Sequence, residues 1–214
     1  ITDAIANVGN VELDFGTEVN GANIVEKLPA VDGIEYTAVI KGGSTWTVTV
    51  KDTAGKGTPQ TKEIEVTVAS AVLNITQGTS YDTIQAAIDA AEDGNTIKLN
   101  SDLEIASDDF MHDGQYAVKV SGKSLTLDLN GKTLSADADA TVYISSGAEL
   151  TLKDTSSGGK IVNTNEESAW NAVGNYGTFT MESGTLKSTN GYALYNYYWT
   201  GDMYGTATIE GGTL

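Results

Sequence analysis

A ten-residue phrase occurs twice in this chain, and its spacing limits the possible folds more than any other feature. Gly177 to Leu186 reads GTFTMESGTL and Gly205 to Leu214 reads GTATIEGGTL, an offset of 28 residues. Fainter versions lie upstream: SLTLDLNGKTL from Ser124 to Leu134, and ELTLKDTSSGGKI from Glu149 to Ile161. Each has alternating residues, a Gly-containing turn and one further apolar position. Alternation with period two marks a strand with one buried face. Before each phrase sits another short apolar step: Ala117-Val118-Lys119-Val120, Thr141-Val142-Tyr143-Ile144, Ala172-Val173 and Ala193-Leu194. Each repeat therefore holds at least two strands and a turn.

Repetition at 20 to 50 residues indicates a solenoid, a propeller or an array. The equivalent positions Leu127, Leu152, Met181 and Ile209 lie 25, 29 and 28 residues apart. Propeller blades need about 40 residues or more, so that architecture is excluded. Leu125, Leu127 and Leu129 followed by Asn130 suggest a leucine-rich repeat, but the other repeats keep no Asn there. A constant core with loops of variable length fits a parallel β-helix, its strands climbing as rungs from about residue 95 onward.

The 214 residues allow one large or two modest domains. With 24 Gly, only 2 Pro and 40% apolar residues, the composition is that of an all-β protein, not a disordered one. No run of 18 apolar residues is present, so no membrane span is expected. The absence of cysteine removes disulfides, thiolate metal sites and thiol nucleophiles. The net charge is −17 and all 12 cationic side chains are lysine. Phosphate backbones would be repelled, which excludes nucleic acid as a partner. Strong acidity without cysteine fits a monomeric, secreted or surface-anchored bacterial protein. Because the chain starts at Ile1 and stops at Leu214 as a coil finishes, a fragment truncated within the β-helix is expected.

Residues 1–72 form a different unit. Four stretches alternate: Val11-Leu13-Phe15, Ile34-Tyr36-Ala38-Ile40, Trp46-Val48-Val50 and Ile64-Val66-Val68. That is the half-buried strand pattern of a two-sheet sandwich. The closing segment VTVKDTAGKGTPQTKEIEVTV resembles the last hairpin of bacterial Ig-like domains. The resemblance implies an Ig-like β-sandwich acting as a spacer.

Residues 73–214 make the second unit. Ile84, Ala87, Ile88 and Ala91 fall at i, i+3, i+4 and i+7, an apolar helical stripe. Asp82 with Gln85 gives a capping box and Gly94 a left-handed C-terminal stop. The phrase YDTIQAAIDAAEDGNTIKL resembles the entry to right-handed β-helices of the pectate-lyase-like class. The resemblance implies that a short N-terminal capping helix covers the first coil, where it would hide unpaired strand edges.

That class also includes enzymes that bind calcium through several Asp and abstract a proton with Arg or Lys, and hydrolases with paired Asp. This chain has no Arg. Its densest acidic stretch is Asp108-Asp109-Phe110-Met111-His112-Asp113-Gly114. Asp108, Asp109 and Asp113 are candidate calcium ligands, but the alternate-residue Asp spacing of a calcium loop is missing, so a solvated loop is expected and no cofactor. His112, the one histidine, lacks Ser or Cys partners. Asp137, Asp139, Glu166 and Glu167 read as solvated loop residues. Asp128 and Asp154, in successive repeats, read as stacked surface decoration and not as a catalytic dyad. Catalysis as a polysaccharide lyase or glycoside hydrolase is the alternative function, and a structural stalk without a ligand is another.

The favoured reading is a non-catalytic binding or adhesion module. Tyr192, Tyr195, Tyr197, Tyr198 and Tyr204 cluster with Trp199 in YALYNYYWTGDMYG, and Trp170 ends the loop NTNEESAW one repeat earlier. Tyr and Trp give large contact area at low entropic cost. These seven are the candidate binding residues, and a host protein (an immunoglobulin among them) or a glycan is the expected partner. The structural alternative is that the rings stack inside the coil or plug its end.

Overall fold

The computed structural model describes residues 1–111, 115–199 and 203–214, with the main chain only at Trp199 and Met203. The chain divides into two compact units, Ile1–Ala69 and Ser70–Leu214.

The first unit contains α1 (Thr2–Ala6), β1 (Val11–Leu13), α2 (Gly21–Glu26), β2 (Ile34–Gly42), β3 (Thr45–Asp52) and β4 (Gln60–Val68). The four expected strands are all present. They form one sheet in the order β1-β4-β3-β2, with β1 parallel to β4 and the other pairs antiparallel. A two-sheet sandwich over these residues is therefore corrected: among the described residues, a single sheet buries one face against helices. Trp46, Val48, Val50, Ile64 and Val66 pack with Ala4, Val8, Ile24 and Leu28. A one-faced strand pattern demands an apolar layer opposite without specifying strand or helix. Here α2 supplies it, started by the Asn20 side chain, which accepts a hydrogen bond from the Asn23 N–H at 2.9 Å. At six residues, with Gly at its first position, this helix carries too little periodic signal to be read from sequence.

The second unit is a β-solenoid. It opens with an antiparallel hairpin, β5 (Val72–Asn74) and β6 (Thr79–Tyr81), and the helix α3 (Ile84–Ala90). Four coils of three strands follow. They are β7 (Asn95–Leu99), β8 (Leu103–Ile105) and β9 (Tyr116–Val120); β10 (Ser124–Asp128), β11 (Thr133–Ala136) and β12 (Ala140–Ile144); β13 (Glu149–Lys153), β14 (Lys160–Asn163) and β15 (Asn171–Asn175); and β16 (Thr178–Met181), β17 (Thr185–Ser188) and β18 (Tyr192–Asn196). A two-residue-arm hairpin, β19 (Tyr198–Trp199) with β20 (Met203–Tyr204), precedes β21 (Thr206–Ile209), which begins a further coil.

The coils stack as three parallel sheets, β7-β10-β13-β16-β21, β8-β11-β14-β17 and β9-β12-β15-β18, with β5 and β6 added antiparallel beyond β7. Leu127, Leu152, Met181 and Ile209 are direct cross-strand partners, as their spacing predicts. Leu103, Leu134, Ile161 and Leu186 make the second column. Val118, Val142, Val173 and Leu194 make the third. The repeated turn needs its glycine: Gly184 and Gly212 take φ of +95° and +94°, a region that L side chains rarely enter. The interior is filled by side chains. The gap among Ile88, Ile97, Val118 and Leu125 is about 10 Å³, no more than one water requires.

Helix α3 buries Ile84, Ala87 and Ile88 in the solenoid core. Its N-cap is Thr83, whose hydroxyl accepts from the Ala86 N–H at 3.2 Å, and not Asp82. Gln85 is occupied elsewhere: its amide donates to the Lys119 carbonyl at 3.1 Å and accepts from the Lys119 N–H at 2.9 Å. The helix ends at Ala90 with an extended Ala91, so Gly94 serves the turn into β7 and not the helix stop. Lys123 replaces that stop, donating to the carbonyls of Ile88, Asp89 and Ala91 at 2.8 to 3.0 Å.

Candidate functional site

The third sheet turns its apolar side chains inward and leaves alternate positions outside. Lys119, Tyr143, Gly174 and Tyr195 form one outer row in register. Tyr116, Ala140, Asn171 and Tyr192 form the neighbouring register row. Tyr176 and Tyr197 follow β15 and β18, their N–H groups bonded to the carbonyls of Ile144 and Asn175 in the coil before, both at 2.8 Å. Parallel in-register stacking therefore gathers six tyrosines from all four coils onto one outer face.

Their rings touch in sequence. Tyr116 and Tyr143 stack at 3.9 Å between centroids and 9° between planes. Tyr143 meets Tyr176 at 5.6 Å, and Tyr176 stacks on Tyr197 at 4.2 Å and 5°. Tyr195 stands edge-on to Tyr197 at 4.6 Å, and Tyr192 follows at 5.3 Å. Such geometries are favourable beyond the area they bury. Gly174 makes the row continuous: a Cβ there would lie 3.1 Å from the Tyr197 ring, which covers the glycine instead.

Partial burial raises the phenols of Tyr116, Tyr143, Tyr176 and Tyr197 above their ordinary value. Desolvation, then the neighbouring tyrosines, pushes Tyr143 up to about 12. Desolvation, followed by Tyr176 and other ladder members, does the same for Tyr197. Tyr116 and Tyr176 are raised mainly by desolvation, as is Asp139 beside them. The surface thus offers neutral O–H groups and aromatic faces.

The exposed end of the ladder is Tyr192, 54% accessible, and Tyr195, 39%. With Ala169, Trp170, Asn171 and Tyr197 they line an open cleft of about 250 Å³. Its far wall is braced: the Ser188 hydroxyl donates to the Trp170 carbonyl at 2.8 Å, and Asn165 Oδ1 accepts from the N–H groups of Glu167 and Ser168. Tyr198 and Tyr204 face each other across the β19–β20 hairpin, rings 5.0 Å apart and more than half exposed. The side chain of Trp199 lies outside the described residues. The rings thus stack on the outside of the coil and do not fill it. Tyr116, Tyr143 and Tyr176 belong to the cluster but were not legible as members. Each is isolated in sequence, although Tyr143 sits in one of the apolar steps and Tyr176 just precedes the repeated phrase.

The acidic candidates are placed differently. Asp108 and Asp109 occupy an exposed 3-10 turn, while His112 and Asp113 lie outside the described residues. Among the described residues no three His, Cys, Asp or Glu converge as a metal site. Asp137 accepts from Asn165 Nδ2 at 2.6 Å. Asp128 is 3% exposed and accepts from the N–H groups of Asn130 and Thr155 at 3.0 and 3.1 Å and from the Thr155 hydroxyl. Asp154 accepts from the N–H groups of Gly131 and Gly159 at 2.6 and 2.7 Å. The two therefore staple turns between coils and are not surface decoration; Asp128 pairs in register with Lys153, not Asp154.

Comparison with protein-family models, with characterised proteins and with solved structures finds no significant match to this chain.

Proposed function

We propose that the chain is a non-catalytic extracellular binding or adhesion module of a bacterial surface protein. A right-handed parallel β-helix carries the aromatic face and presents it to a host protein, an immunoglobulin among them, or to a glycan. The observation that supports this reading is the six-ring tyrosine row on the outside of the solenoid, ending in the half-exposed Tyr192 and Tyr195 beside Trp170. The inner rings of the row stabilise the fold by stacking, but folding alone does not require its end, Tyr192 and Tyr195, to stand exposed. Parallel strand crossovers favour right-handed winding, and α3, through Gln85 and Lys123, serves as the lid of the first coil. The unit Ile1–Ala69 serves as a spacer.

The test is capture from host secretions together with a glycan array, using the full chain and a Tyr192→Ala/Tyr195→Ala double variant. Aromatic anchors contribute about 2–4 kcal/mol at binding surfaces, so capture should fall at least about tenfold, equivalent to ~1.4 kcal/mol. Undiminished capture by a folded double variant refutes the assignment of the site.

A further inference from the structure

We infer that the cleft beside Tyr192 and Tyr195 is a recognition site for one uncharged pyranose residue, a neutral hexose or N-acetylhexosamine, at the end of a glycan. The inference rests on the binding-module reading and names its ligand class. Its starting point is Asn171, which lines the cleft and is only 3% exposed. Asn171 Nδ2 donates to the Tyr197 hydroxyl at 3.1 Å. Asn171 Oδ1 is buried and has no hydrogen-bond partner in the protein. Buried side-chain acceptors are seldom left unpaired, and each exception calls for a reason. The Tyr197 oxygen, having accepted from Asn171, keeps its own proton to donate. Two adjoining residues of the cleft lining thus hold unused hydrogen-bonding capacity, the sealed Asn171 acceptor and the Tyr197 proton.

The walls complete the requirement. A pyranose presents a flat C–H face, which suits the negative face of an aromatic ring, and hydroxyls that both donate and accept. Tyr192 and Tyr195 offer the rings, and Asn171 with Tyr197 offers the polar pair. At about 250 Å³ the cleft is smaller than sites for drug-sized ligands, which suits a single ring. No Lys lines it, and the chain carries a net charge of −17, so uronic and sialic acids are disfavoured.

The experiment is saturation-transfer NMR and calorimetric titration of the full chain with methyl galactoside, methyl mannoside and methyl N-acetylglucosaminide, with methyl glucuronide as the acidic control. At least one neutral glycoside should bind and the glucuronide should not. Affinity should drop at least tenfold in Tyr192→Ala, an exposed site where folding is not at stake, and in Asn171→Ala, whose thermal unfolding is recorded alongside. Thr178→Ala, exposed on the first sheet and not part of the cleft lining, should bind as the parent does. Neutral-glycoside binding that survives Tyr192→Ala, or equal binding of the glucuronide, overturns the inference. If no glycoside binds but an immunoglobulin or other host protein is captured and lost in Tyr192→Ala, the saccharide assignment fails and the binding module stands. If neither class of ligand binds, both fail.

Discussion

Gly177 opens the first copy of the repeated phrase, and the stacking of coils explains why it is glycine. A Cβ built there would lie 2.2 Å from the Ala148 carbonyl oxygen and 2.6 Å from that of Ser145. Carbon-to-carbonyl-oxygen contacts settle at about 3.3–3.6 Å, so Gly177→Ala forces the third and fourth coils roughly 1 Å apart. Both obstacles are backbone, and no rotamer change relieves them. The 2.9 Å bond from the Thr178 N–H to the Ala148 carbonyl then stretches beyond hydrogen-bonding range, at a cost of about 1 kcal/mol. Overpacking adds about 1–3 kcal/mol, for a total of about 2–4 kcal/mol. In a unit of this size that lowers Tm by roughly 5–15 °C. A Cβ at Gly205, at the same place in the second copy, would lie 2.2 Å from the Asn175 carbonyl oxygen, so Gly205→Ala should behave alike. The assay is thermal and urea unfolding followed by circular dichroism, with Thr178→Ala, an exposed neighbour, as the control expected within about 0.5 kcal/mol of the parent. If Gly177→Ala matches the control, the close approach of coils does not explain the repeat.

Alkaline pH should weaken the second unit through its tyrosines. Tyr143 and Tyr197 have folded values raised to about 12 above the ordinary 10.0, so the protonated form is favoured by folding; the stability they give is complete below pH 10 and lost as pH climbs toward 12. Phenolate absorbance should show them ionising late, and a single common step for all ten tyrosines contradicts the ladder. Asp128→Ala strips a partner from two turn N–H groups and a hydroxyl and should cost about 2–4 kcal/mol in urea unfolding, whereas Asp108→Ala on its exposed turn should be neutral. Phe179→Ala empties a fully buried position between Leu150 and Ala207 and should cost about 3–5 kcal/mol by the same measure.

The primary sequence was enough for the solenoid, its core columns and the cross-coil pairing of Leu127, Leu152, Met181 and Ile209. Both period-two alternation and the length of one coil are local properties of the chain. It also showed helix α3 and the aromatic segment from Tyr192 to Tyr204. Only tertiary structure decided what covers the sheet of the first unit, because an apolar strand face accepts a helix or a second sheet equally. Tertiary structure likewise turned Asp128 and Asp154 from apparent surface residues into turn staples, since their partners are backbone N–H groups that any sequence supplies. The ladder itself was out of reach: Tyr116, Tyr143 and Tyr176 are separated by whole coils, and only in-register stacking, which brings residues about 30 positions apart to neighbouring strands, sets their rings in contact with Tyr197.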